Sequence, residues 1–461
     1  MSSASVSNPS LRVAVVGAGF AGLAAAWRLV QAGIGVTVFE RSGHVGGLAM
    51  TFPFAGTEIE KYYHHWFTSD VDILGLLGEL GLERRLRWIS PVMGMFCQGR
   101  IYRFTSPVDL LRFRPFSLPA KIRFGLVTLF LQRYPRREPF EGVTASEWLL
   151  RYAGREVYET VWGPLLRAKF GRHAESISMA WIWSKMRLRG NSRTGAGSRE
   201  SLGYLDGGFG IAARALRDSI ARCGGRLHLG ERVERMRPLD GFADRFEVET
   251  SRRRERFSAV ISTVAPPLLA GLVPELPAET RRQCEGIEHA AILCTMLILR
   301  RRFSPIYWMN VSDRDVPFGG LIEHTNFLSP EHYQGRHVVY VSHYTYPDEP
   351  VYGMDASELL RHYLPALKRI RPEFDESWLE DRMAFRDRFA QPIVTADYHR
   401  RLLPIEMPIA GLYAATMSQV YPEDRGTNYA VRIGNQAARM LLESDFSREA
   451  AEPRLVSRSG S

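Results

Sequence analysis

Residues Leu11 to Phe52 read LRVAVVGAGFAGLAAAWRLVQAGIGVTVFERSGHVGGLAMTF, and this stretch decides the fold. Leu11 to Val16 is a short apolar run of the kind buried in a parallel sheet. Gly17, Gly19 and Gly22 then form G-x-G-x-x-G, with helix formers from Ala21 to Leu29. Gly33 stops the helix, and Gly35 to Phe39 gives a second strand closed by Glu40. Gly17 makes the tight turn, Gly19 lets backbone approach a pyrophosphate, and Gly22 lets helix pack closely on strand. Phe20 and Ala21 open a helix whose unpaired N–H groups and positive dipole suit phosphates. Glu40 lies where a carboxylate accepts hydrogen bonds from a ribose diol, which selects an unphosphorylated ribose and argues against NADP. Strand, glycine turn, helix and terminal acid together specify a dinucleotide site far better than the glycines alone.

The continuation, Arg41-Ser-Gly-His-Val-Gly-Gly-Leu, separates FAD from NAD. A flavin dinucleotide is longer than one βαβ unit, so the chain beyond the second strand must also lie against it. Paired Gly46-Gly47 gives a turn without side chains for that contact. Here the sequence resembles the flavoprotein group of amine oxidases, protoporphyrinogen oxidases, phytoene-type desaturases and UDP-galactopyranose mutases. In that group an acid, a base and a GG turn follow the glycine motif in this order. Arg41, Gly46 and Gly47 match, and Leu48 stands where an Arg is often found. The resemblance returns at Tyr204 to Met236, with Y-x-x-GG, helix, GG, strand and Val233, whose backbone would meet the adenine. It returns again at Ala259-Val-Ile-Ser-Thr, where the strand ending at Thr263 would lie beside the pyrophosphate. Near the C-terminus, strand Gly411 to Ala415 and helix Asn428 to Leu442 match the closing elements of the group. That helix would aim its N-terminus, with Thr427, Asn428 and Tyr429, at the flavin ring. Thr416 and Met417 replace the group's Gly-Asp pair on the ribityl chain, so Met417 would contact the cofactor without that carboxylate. Arg425 would supply part of the missing bonding or serve the substrate.

The resemblance implies an α/β fold: a Rossmann-like FAD-binding domain of the GR2 type with an inserted α+β substrate domain. The expected cofactor domain is discontinuous (11–90, 200–270 and 405–445), the substrate domain takes 91–199 and 271–404, and the termini 1–10 and 446–461 are expected to be flexible. The implied activity is an FAD-dependent oxidoreductase that moves hydride from a substrate C–H to flavin. The alternative is a flavin-dependent isomerase, like the UDP-galactopyranose mutases, acting on a nucleotide-sugar or glycan precursor.

Candidate residues outside the glycine motifs are few. In Ala55 to Asp70, AGTEIEKYYHHWFTSD, the mutases carry a Y-G-P-H-I-F-H-T-like stretch near the isoalloxazine. Tyr62, His65 and Phe67 match its spacing and Thr68 replaces its second His, which makes His65 a candidate hydrogen-bond donor to the flavin. Walling of the core is the competing reading for the aromatics. His64 and His65 are adjacent and would point to opposite faces, so no metal site is expected. Lys169 is a second candidate, because amine oxidases place a lysine beside flavin N5; a solvated surface position is the alternative.

A chain of 461 residues should hold about two domains. Apolar residues make up 45% and charged residues 24%, the balance of a globular protein. Cys97, Cys223, Cys284 and Cys294 are scattered without a C-x-x-C, which argues against zinc or disulfides and fits a reducing cytoplasm. The polar start MSSASVSNPS reads as neither signal peptide nor anchor, and no apolar run is long enough to span a bilayer. The net charge of +10 suits solvated arginines, an anionic membrane or a phosphorylated substrate; no nucleic-acid module is present. One segment bears on the membrane. Ala120 to Leu131 is apolar and flanked by Lys121, Arg123, Arg133, Arg136 and Arg137. It reads either as a buried helix of the second domain or as an interfacial helix serving a lipophilic substrate at the inner membrane face.

Overall fold

The computed structural model describes residues 11–191, 200–241 and 244–444. The termini expected to be flexible lie outside the described residues. Strand Arg12–Val16 is the centre of a five-stranded parallel sheet. Gly35–Glu40 and then Arg226–Leu229 lie on one side of it, Ala259–Ser262 and then Leu412–Ala414 on the other. In chain order this is 3-2-1-4-5, a doubly wound sheet whose winding reverses beside the first strand, where such folds bind ligands. Val13, Val15, Val36, Val38 and Ile261 are buried on one face of the sheet and Ala14, Val16, Phe39 and Val260 on the other, as a covered parallel sheet requires.

Helix Phe20–Gln31 follows the glycine turn and is buried along most of its length. Its Ala24, Ala25 and Ala26 keep the surface flat enough for helix Thr427–Glu443 to lie against it. The approach is so close that a Cβ on Gly434 would overlap the carbonyl of Ala21. Helix Gly210–Arg222 packs on the same helix, and a three-stranded antiparallel sheet (Val233–Pro238, Phe246–Thr250, Arg254–Phe257) covers the opposite side.

The second large unit is a seven-stranded mixed sheet. Its order is Leu379–Pro392, His289–Leu299, His337–Thr345, Gly320–Glu323, Trp308–Val311, Met93–Cys97 and Arg100–Arg103. Strand 289–299 is buried along nearly its whole length and pairs antiparallel with 337–345. Trp308–Val311 runs parallel to Met93–Cys97, a join no local pattern announces. Helix Ala356–Ile370, started by an Asp355/Glu358 capping box, closes the outer face over Leu293, Val339 and Val341.

A helical layer completes the molecule. Ser106 caps helix Pro107–Arg112, Ser117 caps Leu118–Arg133 and Thr144 caps Ala145–Tyr152. Helices Gly163–Phe170 and Met179–Asn191 follow, around a core of Phe113, Leu149, Phe170 and Trp181. Of helix Leu118–Arg133 only Ala120 and Leu131 are buried. The buried-helix reading of this segment is therefore wrong. Leu118, Ile122, Leu126, Leu129 and Phe130, with Val108 and Leu111 of the preceding helix, are 42 to 66% exposed. Spacings of four along 118–122–126–130 put them in one stripe. No described helix is long and apolar enough to cross a membrane.

Candidate active site

The glycine turn forms a cradle. Gly17 has φ +104°, and a Cβ there would overlap Oγ1 of Thr263, which ends its own strand by bonding the carbonyl of Val16. A Cβ on Gly22 would overlap the carbonyl of Gly17. The GG turn lies on top: Gly46 N–H donates to the carbonyl of Ala18 at 2.8 Å, and a Cβ on Gly47 would come 3.1 Å from Cα of Gly19. Leu48 follows in the short turn Gly47–Ala49. Gly19 supplies no side-chain cap to helix Phe20–Gln31, so the dipole end of that helix has no side chain set across it.

Glu40 organises the rim. One carboxylate oxygen accepts the N–H of Ala18 and the other that of Ser42, both at 2.8 Å, which leaves a lone pair on each for a diol. Glu231 N–H donates to the carbonyl of Glu40, which brings the strand beginning at Val233 alongside. Arg41 extends outward and reaches Asp387 of the second sheet at 4.0 Å. Met417 lies in the turn after strand Leu412–Ala414. These residues line up along one edge of the sheet, with space set by absent Cβ atoms, and they suit an adenine dinucleotide.

The other end of the site is a cavity of about 270 Å³ between the two sheets and the helical layer. The first turn of helix Thr427–Glu443 opens into it through Gly426, Thr427, Asn428 and Tyr429. Seven residues along the same helix, about 10 Å at 1.5 Å per residue, Gly434 touches the helix of the glycine turn. Cradle and cavity are thus joined by one element. Thr427 Oγ1 accepts the indole N–H of Trp66 at 2.7 Å. Asn428 has a structural task as well: its Oδ1 accepts the N–H groups of Asp72 and Ile73 and caps helix Val71–Glu79.

His64 and His65 both line the cavity. Burial pushes the His64 imidazole down to about 4 and that of His65 to about 3, so both are neutral at pH 7. His64 donates from Nδ1 to the carbonyl of Tyr62 at 2.6 Å. His65 Nδ1 lies 3.2 Å from the Tyr307 hydroxyl, and a neutral ring keeps one N–H to donate.

The charged groups converge on Asp424, a residue the sequence reading passed over. Lys169 Nζ and Lys185 Nζ each lie 2.6 Å from the same oxygen, Oδ2, and Trp181 Nε1 is 3.4 Å from Oδ1. Burial alone would raise the Asp424 carboxyl, but the two ammonium groups outweigh it and hold the pKa far below the usual range. Burial lowers both lysines against the pull of Asp424, Lys185 to about 8. Lys169 is therefore a cavity residue, not a solvated one, and its ammonium is committed to a carboxylate. Arg425 also lines the cavity; it donates from Nη2 to the Tyr344 hydroxyl at 2.8 Å and from Nε to Gln391 Oε1 at 3.2 Å. Lys185 sits four residues after Trp181 on one helix face, the sole local signal that marked it. The turn Tyr158–Trp162 is π-helical and places Val161 in the wall, a distortion often found at functional sites. Among the described residues no group of three His, Cys, Asp or Glu is placed to hold a metal ion.

The sequence model described as flavin containing amine oxidoreductase matches residues 20–442. Protoporphyrinogen oxidase 2 of Arabidopsis thaliana is 28% identical over 173 residues, 36% of this chain and 34% of that protein. The match thus spans about a third of that relative's length. Cyclohexylamine oxidase from Brevibacterium oxydans has the same fold, with a TM-score of 0.73, 16% identity and coverage of 94% of this chain and 99% of that one. A reduced UDP-galactopyranose mutase superposes with a TM-score of 0.72 at 14% identity, covering 94% of each chain. At these identities the structures speak for fold alone, the Rossmann-like FAD domain with its substrate domain. The family match over most of the chain goes further, and the glycine cradle fits the cofactor it implies, FAD: the protein belongs to the flavin-containing amine oxidoreductase family.

Proposed function

We propose that the protein is an FAD-dependent oxidoreductase that takes hydride from a C–H bond of a small molecule held in the cavity. When bound, the isoalloxazine supplies the hydride acceptor. Gly17, Gly19, Gly22, Glu40, Gly46 and Gly47 would hold the dinucleotide, and the helix terminus at Thr427 to Tyr429 would face its ring. The chain's own part is placement. Tyr63, Trp308 and Ile322 wall the cavity against water, and Tyr63 is itself fixed by a 2.7 Å bond to Ser342. A substrate held between these walls and the Thr427 terminus has its C–H bond fixed in direction, which supplies much of the rate. His65 is suited to donate a hydrogen bond, and as a neutral ring it is no strong acid. Lys169 and Lys185 are held as cations by Asp424, so neither is a free base. The observation carrying this reading is the single helix that links the glycine cradle to the cavity. The test is anaerobic mixing of the purified yellow protein with candidate substrates, read as loss of oxidised-flavin absorbance. A protein that stays colourless after incubation with FAD while folded refutes it.

The second reading, an isomerase of nucleotide-sugars or glycan precursors, draws support from the cations around Asp424 and from the mutase of like fold. Such an isomerase gives no net oxidation, so one electron acceptor consumed per product formed excludes it.

We also infer that the protein works on a lipophilic substrate at the cytoplasmic face of an anionic membrane. The exposed stripe on helix Leu118–Arg133 supports this, together with exposed Arg112, Arg114, Arg123, Arg133 and Arg136 around it. Basic residues near an anionic surface contribute about 1 kcal/mol each. Flotation with phosphatidylglycerol liposomes should fall with salt and with Leu126→Glu, while bound flavin is unchanged. Flotation indifferent to both would end this reading.

A further inference from the structure

The cavity carries more positive charge than its own carboxylates balance. Lys169 comes from the end of helix Gly163–Phe170, Lys185 from helix Met179–Asn191, and Arg425 from the loop before the last helix. Two consecutive helices and a loop much later in the chain thus bring these three cations to one wall, and Arg189 lines the same cavity. Asp424 meets both lysines, which share a single oxygen of it. Arg425 rests on neutral oxygens, those of Tyr344 and Gln391, and is in no ion pair among the described residues. The other lining carboxylate, Asp70, accepts the N–H of Phe67 at 2.9 Å. Burial raises its pKa to about 6, which leaves it mostly charged at pH 7, so two carboxylates face four lining cations, Lys169, Lys185, Arg189 and Arg425. The N-terminus of helix Thr427–Glu443 adds positive potential at the same wall.

Excess charge taken out of water costs several kcal/mol unless a counter-charge arrives. The aromatic neighbours do not supply one. Trp181 lies 5.1 Å from the Lys169 ammonium and 4.6 Å from that of Lys185, which steadies both without neutralising either. The remainder of the cavity is of another character: Met93, Met95, Val161, Leu165, Leu188 and Ile322 present apolar surface. A cationic wall facing an apolar one selects a molecule with both properties.

We infer that the substrate is an anionic amphiphile, its carboxylate or phosphate seated against Lys169, Lys185 and Arg425 and its apolar body on the methionine and leucine wall. Protonated amines are disfavoured at this wall by like charge, so within an amine oxidoreductase family this chain does not take an amine. The inference rests on the cavity being the substrate site of the proposed oxidoreductase.

The test compares four probes with one ten-carbon chain: decanoate, decyl phosphate, decanol and decylamine. Each is titrated below its micelle concentration into the flavin-loaded protein, with binding read from the flavin spectrum and from tryptophan fluorescence. At least one anion should bind tenfold or more tighter than decanol, with decylamine weakest, and the preference should shrink with salt. Which anion leads tells carboxylate from phosphate. Arg425→Gln should remove most of the preference while decanol binding stays, and Arg425→Lys should restore part of it. Decylamine binding as tightly as both anions, or an unchanged anion preference in folded Arg425→Gln protein, overturns the inference. Tight anion binding by a protein that never bleaches with any substrate would instead count against the oxidoreductase reading alone.

Discussion

Replacing Asp424 with Asn tests the centre of the site, because it removes one negative charge and almost no volume. In the native protein burial lowers the Lys185 ammonium from 10.5 to about 8 even with the carboxylate 2.6 Å away. That depression is worth roughly 3 kcal/mol at about 1.4 kcal/mol per pH unit. The sign follows from proton counting. Between the folded and unfolded pKa values the unfolded chain binds the extra proton, so stability rises with pH across that window. For the native protein the window runs from about 8 to 10.5. Without Asp424 both lysines lose their counter-charge, their folded pKa values fall further, and the window extends down through neutrality. Removing one partner of a buried pair costs about 3–5 kcal/mol while the remaining charge persists. Asp424→Asn should therefore be less stable by about that amount at pH 6, and the deficit should narrow steadily towards pH 9. Denaturant unfolding of the two proteins at a series of pH values measures it. A deficit that is constant with pH, or absent at pH 6, refutes the assignment of Asp424 as the counterion of the two lysines.

Two further substitutions probe the frame around that centre. Gly22→Ala should purify with little flavin, since its Cβ overlaps the carbonyl of Gly17, whereas Gly75→Ala, with nothing within 4 Å, should keep its flavin; absorbance per protein decides between them. Glu60 is fully buried between Tyr204 Oη at 2.6 Å and the N–H of Phe209 at 2.7 Å, and burial raises its carboxyl from 4.5 to about 7. A carboxyl raised on folding binds its proton more tightly in the native state, so stability falls as pH rises through that window, by about 3 kcal/mol. Glu60→Gln cannot titrate and should lose stability less steeply between pH 5 and 8; parallel profiles would exclude Glu60 as the source.

The parts legible in the sequence are those where local chemistry and final structure coincide. An apolar run, G-x-G-x-x-G and a terminal acid within thirty residues become strand, turn, helix and strand because every contact is local. The capping pair Thr144 and Glu147 is legible for the same reason. Lys169 and Asp424 are 255 residues apart and Lys185 and Asp424 are 239 apart, so no window of sequence contains the charge cluster. A lone lysine near a helix end reads as solvated until the partner that buries it is known. Asn428 illustrates a different limit. Its position at the start of a helix points to a cofactor contact, and nothing local announces that its amide oxygen also caps helix Val71–Glu79 from more than 350 residues away. The apolar segment near Leu126 failed to resolve because composition cannot say which face of a helix is covered.

Helix Met179–Asn191 connects the two features on which the substrate proposals rest. Trp181, Lys185 and Leu188 lie on one face of it and line the cavity. Trp183 and Arg187, from the other face, both donate to the carbonyl of Tyr134, just beyond helix Leu118–Arg133, and Gly190 lies against Gln132 of that helix. One helix thus separates an apolar stripe facing solvent from a cationic wall facing the cavity. An amphiphile with an anionic head meets matching chemistry on both sides of this partition: arginines and exposed leucines outside, lysines and methionines inside. A soluble amine or a neutral sugar meets it on neither. The two proposals are therefore independent in their tests yet point to one kind of molecule, because the same short stretch of chain faces in both directions.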